Sequence, residues 1–198
     1  MPFEPQEALC RDRGFSAVCG IDEAGRGPLA GDVYAAAVIL PPGCDLPGLN
    51  DSKKLSPQKR EQLFGAIQAQ ALAWSVAFAT VEEIERINIL QAALLAMKRA
   101  AEGLLPPADF ALIDGNQKPP LSIPCETLVK GDSLCASIAA ASILAKVARD
   151  RQMLLLEERY PGYGFARHKG YGTRQHYEAL ARLGPCPVHR KRFLRGVL

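Results

Sequence analysis

The feature that most constrains this chain is a short apolar run ending in two adjacent acids. Val18-Cys19-Gly20-Ile21 leads into Asp22-Glu23 and then into Ala24-Gly25-Arg26-Gly27-Pro28. Ala17 to Asp22 reads as a buried strand. The Gly-rich stretch connects it to a second strand, Val33 to Leu40, closed by Pro41-Pro42-Gly43. Two carboxylates at the end of a buried strand are costly unless a positive charge compensates them. One compensator is a divalent cation, and hard oxygen ligands favour Mg²⁺ or Mn²⁺. The other is a simple ion pair with Arg26. Neighbouring strand side chains point to opposite faces, so one ion cannot easily take both from a regular strand. Either the strand breaks at Glu23, or Glu23 binds through its backbone oxygen or reaches a second ion.

The remaining pattern alternates short apolar runs with helical periodicity. Pro57 to Ala71 reads as a helix with Ser56 as cap and Pro57 in the first turn. Trp74 to Thr80 is a third strand, and Asn88 to Glu102 a helix stopped by Gly103 and Pro106. Phe110 to Ile113 and Ile123 to Val129 are the last two strands. Asp132 then caps a long helix from Ser133 to about Glu158, whose Ala- and Ser-rich first half can lie close to a sheet. A final helix runs from about Thr173 to Leu183 and ends at Gly184-Pro185. Strands followed by alternating strands and helices predict an α/β fold, a mixed sheet flanked by helices. At 198 residues and 48% hydrophobic, the chain can bury one core, and no repeat or long linker divides it.

Several classes are disfavoured. Met1-Pro2-Phe3-Glu4-Pro5 lacks a basic start followed by an apolar run, so no signal peptide is visible. The apolar stretches Val33 to Leu40 and Leu134 to Ala148 are too short or too interrupted to span a bilayer. Cytoplasm is the expected location. Six separated cysteines predict reduced thiols rather than a disulfide frame. Cys186 and His189 resemble half a metal site with no second half. No heptad appears, so a monomer is expected.

Two further acids share the pattern of the first pair. Asp114 ends the apolar run Phe110-Ala111-Leu112-Ile113, and Asp132 follows Lys130-Gly131 at a helix start. Each has an ordinary explanation, Asp114 as a turn residue and Asp132 as a helix cap. If the strands are adjacent, however, the acids converge at one sheet edge, where open α/β sheets place their sites. Four such carboxylates with two ions would form a phosphodiesterase centre. Gly25-Arg26-Gly27 can bring backbone N–H groups and a guanidinium to a phosphate or sugar, although the same string also makes a plain hairpin turn. Lys53, in Asp51-Ser52-Lys53-Lys54-Leu55, is a candidate phosphate contact or a solvated loop residue. Charge is divided too. Residues 166 to 198 carry eight Lys or Arg against the single acid Glu178, a net +7, while the rest of the chain nets −4. An acidic site that holds cations beside a basic arm that holds a polyanion fits this split, as does a solvated basic helix.

Together these strings resemble the type 2 ribonucleases H, specifically the bacterial ribonuclease HII family. The resemblance rests on Gly20 to Pro28, Asp51 to Leu55, Ile113-Asp114-Gly115, Lys130-Gly131-Asp132, Ala139 to Asp150, Tyr163-Gly164-Phe165, His168 to Thr173, and Gly184 to Arg190. It implies a ribonuclease H-like fold with a five-stranded mixed sheet over residues 1–198, and a basic helical appendage from about 160 to 198 that contacts nucleic acid. It implies hydrolysis of RNA in RNA–DNA hybrids and incision 5′ to single ribonucleotides in duplex DNA, giving 5′-phosphate and 3′-hydroxyl ends. In the cell this would remove misincorporated ribonucleotides and RNA primers. Asp22, Glu23, Asp114 and Asp132 would be the catalytic acids holding two Mn²⁺ or Mg²⁺ ions. Gly25, Arg26 and Gly27 would recognise the ribose 2′-hydroxyl, and Tyr171 would stack at the RNA–DNA junction. Only about twenty residues precede Asp22, which favours the HII type over HIII. His168 and His176 are expected as surface or phosphate-neighbouring residues, and Lys146 and Arg149 on a solvated helix face. The competing readings are a DNA nuclease of the same fold and a non-catalytic nucleic-acid-binding module.

Overall fold

The computed structural model describes Phe3 and residues 5–195. Met1, Pro2 and Glu4, part of the N-terminal stretch read above for a leader, lie outside the described residues, as do residues 196–198. The chain opens with α1 (Gln6–Asp12), then forms β1 (Val18–Ala24), β2 (Val33–Ile39), α2 (Pro57–Gln70), β3 (Ala73–Ala79), α3 (Val81–Glu102), β4 (Phe110–Asp114) and β5 (Cys125–Leu128). It ends with α4 (Gly131–Leu134), α5 (Ala136–Arg159), α6 (Phe165–His168) and α7 (Arg174–Leu183). The strands make one five-stranded sheet in the order β3-β2-β1-β4-β5. β1, β2 and β3 pair antiparallel, whereas β4 and β5 run parallel to β1. This is the expected mixed α/β architecture.

Alternation along β1 sets up both faces of the sheet. Cys19 and Ile21 join Val33, Ala35 and Ala37 of β2 in the core beneath α3. Gly20 faces α5 instead. A Cβ on Gly20 would overlap the backbone of Ser137 and Ile138, so only glycine lets the helix lie this close to β1. The alanines Ala139, Ala140 and Ala141 are fully buried on the same helix, as its composition predicted. Each large apolar group sealed here, such as Ile21 or Ile143, contributes roughly 2 kcal/mol of transfer free energy. The C-terminal segment has its own small core of Tyr163, Phe165, Ala179, Leu180 and Leu194, which packs on Leu29, Ala30 and Met153. The basic segment is thereby attached beside the Gly25–Gly27 loop.

The structure departs from the sequence reading in several places. β1 does not break at Glu23; its pairing with β2 continues through Ala24↔Tyr34. Asp132 is not the cap of a long helix. It lies inside the short α4, Cys135 is extended (φ −127°, ψ 126°), and α5 starts only at Ala136. The first turn of α5 is capped from α1, where Glu7 Oε1 accepts the Ser137 N–H at 2.8 Å. α1 itself was not predicted, because it buries only Cys10 and so has no apolar stripe. α3 begins seven residues earlier than expected, at Val81. Thr80 and Glu83 form a capping box there, and a kink at Asn88 (φ 69°) separates the first two turns, with Val81 and Ile84 buried, from the remainder. All six cysteines are free thiols. Among the described residues, no helix is long and apolar enough to cross a membrane.

Candidate active site

The acids meet because two parallel strands end together. β1 and β4 pair in the register Ile21↔Ile113, so the next residue of each strand, Asp22 and Asp114, continues the pair at the C-terminal edge. Asp22 is buried on the α5 side, where Ser142 lies near enough to favour its ionised form, and its Oδ1 accepts the Glu23 N–H at 2.7 Å. Ser142 in turn shares a buried 2.8 Å hydroxyl–hydroxyl bond with Ser52. This links the Asp51–Leu55 segment to Asp22. Asp132 comes in from α4, directly after Gly131, and a Cβ on Gly131 would lie 3.4 Å from Asp114 Oδ1. Glu23 points to the opposite face, where its Oε1 pairs with Arg26 Nη1 at 3.2 Å. Of the alternatives left open for Glu23, the regular strand removes the break. Its side chain opens into a small cavity of about 70 Å³ lined by Arg26, Asp114, Asn116 and residues of α3.

The electrostatics of this edge are unfavourable as they stand. Burial, followed by the neighbouring charges of Glu23 and Asp114, pushes the Asp22 carboxyl well above the usual carboxylate range. Glu23 is raised by burial despite Arg26, and Asp132 by burial and then by Asp114 and Asp51. Asp114 Oδ1 is buried without a hydrogen-bond partner. Lys53 is a cation beside these acids. Its Nζ lies 3.9 Å from Asp132 Oδ2, and although burial opposes its charge, Asp132, Asp22, Asp51 and Asp114 together raise its pKa. Lys53 therefore lies beside the acids on a side chain that is itself 79% exposed. Among the described residues, no three His, Cys, Asp or Glu side chains already close around one ion-sized position. The donor set still fits a hard divalent cation: it is all oxygen, acceptor-only when ionised, and includes one orphaned buried oxygen.

The two glycines beside the acids differ. Gly25 has φ +100°, and a Cβ there would overlap Arg149 Nε and Cδ, so the fold itself requires glycine. Gly27 meets no such demand: a Cβ there would find only Tyr171 Cε1, at 3.7 Å. The space over Gly27 is open and bordered by the Tyr171 ring, which is 45% exposed.

Other expectations are corrected. Arg149 does not lie on a solvated face; it is 1% exposed and donates to the carbonyls of Asp32, Lys169 and Ala30. Lys146 is half-buried and bonds Asp150 at 2.6 Å. His168 and His176 are buried rather than at the surface. Cys186 and His189, which lack a second half of a metal site in the sequence, have ordinary hydrogen-bond partners instead. His189 Nδ1 accepts the Cys186 N–H at 3.0 Å, so Nε2 carries the proton and donates to His176 Nε2 at 3.0 Å. That leaves the His176 Nδ1–H to donate to the Tyr171 carbonyl at 2.9 Å. Both rings are neutral links that hold the backbone of Tyr171, and burial pushes His176 down to about 4. One of the basic residues counted in the C-terminal segment, Arg190, is fully buried as well. No local pattern shows what Ser142, Arg149 or Arg190 do, because their partners are far away along the chain.

With this geometry in view, comparison with known proteins is specific. The ribonuclease HII family model matches residues 19–196. The ribonuclease HII of Geotalea uraniireducens (strain Rf4) is 61% identical over 191 residues, covering 96% of this chain and 88% of that protein. The ribonuclease H2 of Pyrococcus horikoshii OT3 superposes with a TM-score of 0.75 at 25% identity, covering 92% of this chain and 97% of that one. The ribonuclease HII solved in complex with PCNA from Archaeoglobus fulgidus gives 0.70 at 26% identity, covering 89% and 95%. A match of this extent, over a five-stranded mixed sheet with clustered acids at its edge, places the chain in the ribonuclease HII family of endoribonucleases H.

Proposed function

We propose that this family member, whose family cleaves the RNA of RNA–DNA hybrids, also incises duplex DNA 5′ to a single ribonucleotide, leaving 5′-phosphate and 3′-hydroxyl ends. The observation that carries the reading is the juxtaposition of Asp22, Asp114 and Asp132 with a Gly25–Gly27 loop whose second glycine is open toward Tyr171. Asp22, Glu23, Asp114 and Asp132 are the residues that would hold Mn²⁺ or Mg²⁺, two ions in the substrate complex. Such ions supply an acidified water for in-line attack and stabilise the leaving 3′-oxygen.

The chain's own groups do the rest. Ser142 orients the Asp22 carboxylate, and Glu7, by capping α5, fixes the helix that carries Ser142. Gly25, Arg26 and Gly27 read the 2′-hydroxyl, the local mark that separates ribose from deoxyribose. Tyr171 stacks at the junction, and its backbone is fixed by the buried histidines. Lys53, once the acids are neutralised, is free to take a phosphate. Along α5 beyond Ser142, a groove of about 420 Å³ is lined by Arg60, Lys146, Arg151, Arg167 and Lys169, the first three paired with Asp150 or Glu61 of the same groove. It offers a sequence-blind path for the duplex backbone. Residues 1–198 act as one catalytic unit, with about 160–198 as its nucleic-acid-binding appendage, in a cytoplasmic monomer.

The test is a duplex containing one ribonucleotide, incubated with Mg²⁺ or Mn²⁺. Nicking on the 5′ side of the ribonucleotide, with no cutting of the all-deoxy duplex, is the expected outcome. Cutting of the all-deoxy duplex, or of long hybrids alone, would overturn it.

A further inference from the structure

The loop assigned above to the ribose is shaped by a residue far away in the chain. Arg190 is fully buried and donates only to main-chain carbonyls. Nε bonds Gly31 O at 2.9 Å, Nη1 bonds Arg26 O at 3.0 Å and Pro28 O at 2.9 Å, and Nη2 bonds Gly25 O at 2.7 Å and Asp32 O at 3.3 Å. A guanidinium has five N–H donors. All are used, and all on residues 25–32. Burial and the nearby charge of Arg149 pull Arg190 down to about 9, opposed by Asp32, so it remains a cation at neutral pH.

Peptide geometry turns this into a statement about the outer surface of the loop. In a trans peptide the C=O of one residue and the N–H of the next point in opposite directions. Among the described residues, the one cis bond is Leu105-Pro106. With the carbonyls of Gly25 and Arg26 drawn toward Arg190, the N–H groups of Arg26 and Gly27 turn away from it. Arg149 extends the same logic sideways. It bonds Ala30 O at 3.0 Å and Lys169 O at 2.9 Å, while Leu29 N–H donates to Gly170 O at 2.8 Å. The loop and the segment carrying Tyr171 are thus tied together.

We propose that Arg190 is the positioning residue for ribose recognition. Its guanidinium gathers the carbonyls of residues 25–32 so that the Arg26 and Gly27 N–H groups stand as a fixed donor pair facing the ribonucleotide. This rests on the assignment of Gly25–Gly27 as the ribose-reading loop, and the test separates the two claims.

In Arg190→Lys an ammonium with three donors replaces a planar fork with five and cannot hold the same carbonyls. The variant is expected to keep the Mn²⁺-induced rise in Tm. Its KM for a single-ribonucleotide duplex should rise about 10–100-fold, the usual cost of losing an orienting outer residue, with a smaller change in kcat. Unchanged KM and unchanged preference for ribose would overturn the proposal. Wild-type protein supplies a second measurement that does not depend on the variant folding. By hydrogen exchange, the Arg26 and Gly27 amides should exchange fast in the free enzyme and slow on binding the ribonucleotide duplex, but not the all-deoxy duplex. Leu29 and Gly31 should be slow throughout. Slow Arg26 and Gly27 amides in the free enzyme would refute the donor pair. Fast amides that neither duplex protects, together with full ribose preference in Arg26→Ala, would instead refute the assignment of the loop to ribose.

Discussion

Two groups of charge are buried close together in this molecule, and they are handled in opposite ways. At the sheet edge, Asp22, Asp114 and Asp132 stand against one another with Lys53 as partial relief, and Asp114 Oδ1 has no partner. On the far side of the Gly25–Asp32 loop, Arg190 and Arg149 are just as deeply buried, yet carbonyl oxygens engage their donors. A buried charge whose needs the protein meets is a structural fixture. One whose needs are left open implies something that arrives from outside. The contrast supports the proposed roles, guanidiniums that build the loop and carboxylates left open to cations and substrate.

The sharpest way to break the comparison is to neutralise one of the acids. Asp22→Asn is expected to reduce hybrid cleavage by about 10³-fold or more, the scale of losing one preorganised charged group. Its metal-free Tm should hold or rise, because at pH 7 the raised Asp22 carboxyl opposes folding. A variant that melts lower and cleaves normally would make the acids structural.

The second prediction concerns pH and the histidine links behind Tyr171. His176 is held down to about 4 against an ordinary value near 6.5, so its contribution is fully present above about 6.5. As pH falls from 6.5 to 4, the unfolded chain takes up a proton that the folded ring refuses, and stability drops by on the order of 3 kcal/mol. The raised carboxylates at the site act in the reverse direction. The quantity to measure is therefore the difference between wild type and His176→Leu in denaturant melts across this window. A constant difference would contradict the neutral link.

The third prediction separates the two glycines. Gly25→Ala, strained at φ +100° and overlapping Arg149, should cost about 2–4 kcal/mol in stability. Gly27→Ala should cost less than about 0.5 kcal/mol, yet raise KM for a ribonucleotide-containing duplex. Equal melting of the two variants would deny that the fold needs one glycine and the substrate the other.

The parts of the site that were legible in the sequence share a physical reason. Apolar runs ending in Asp22-Glu23 and Asp114 stand out because acids are conspicuous at the end of a buried strand. β pairing then converts two such runs into neighbours. The loop glycines and Tyr171 were found through their strings rather than through periodicity. What stayed hidden was set by long-range partners. Arg149 reads as part of a polar helix face, and Arg190 as one of a run of bases, because nothing local shows that backbone carbonyls surround them. His176, which holds the Tyr171 carbonyl, and His168 read as surface residues for the same reason. The break at Cys135 was hidden because Ser133 to Ala136 are all tolerable in a helix. It becomes visible only when Glu7 of α1 takes over the capping of α5.

The central claim is that the acidic edge, unlike the buried guanidiniums, lacks a partner that a divalent cation supplies. Thermal melts with and without Mn²⁺, on wild type and on Asp114→Asn, test it most directly. A concentration-dependent rise in wild-type Tm, lost or much reduced in Asp114→Asn, is the expected outcome. A wild-type Tm indifferent to Mn²⁺ and Mg²⁺, or an equal rise in both proteins, would contradict it.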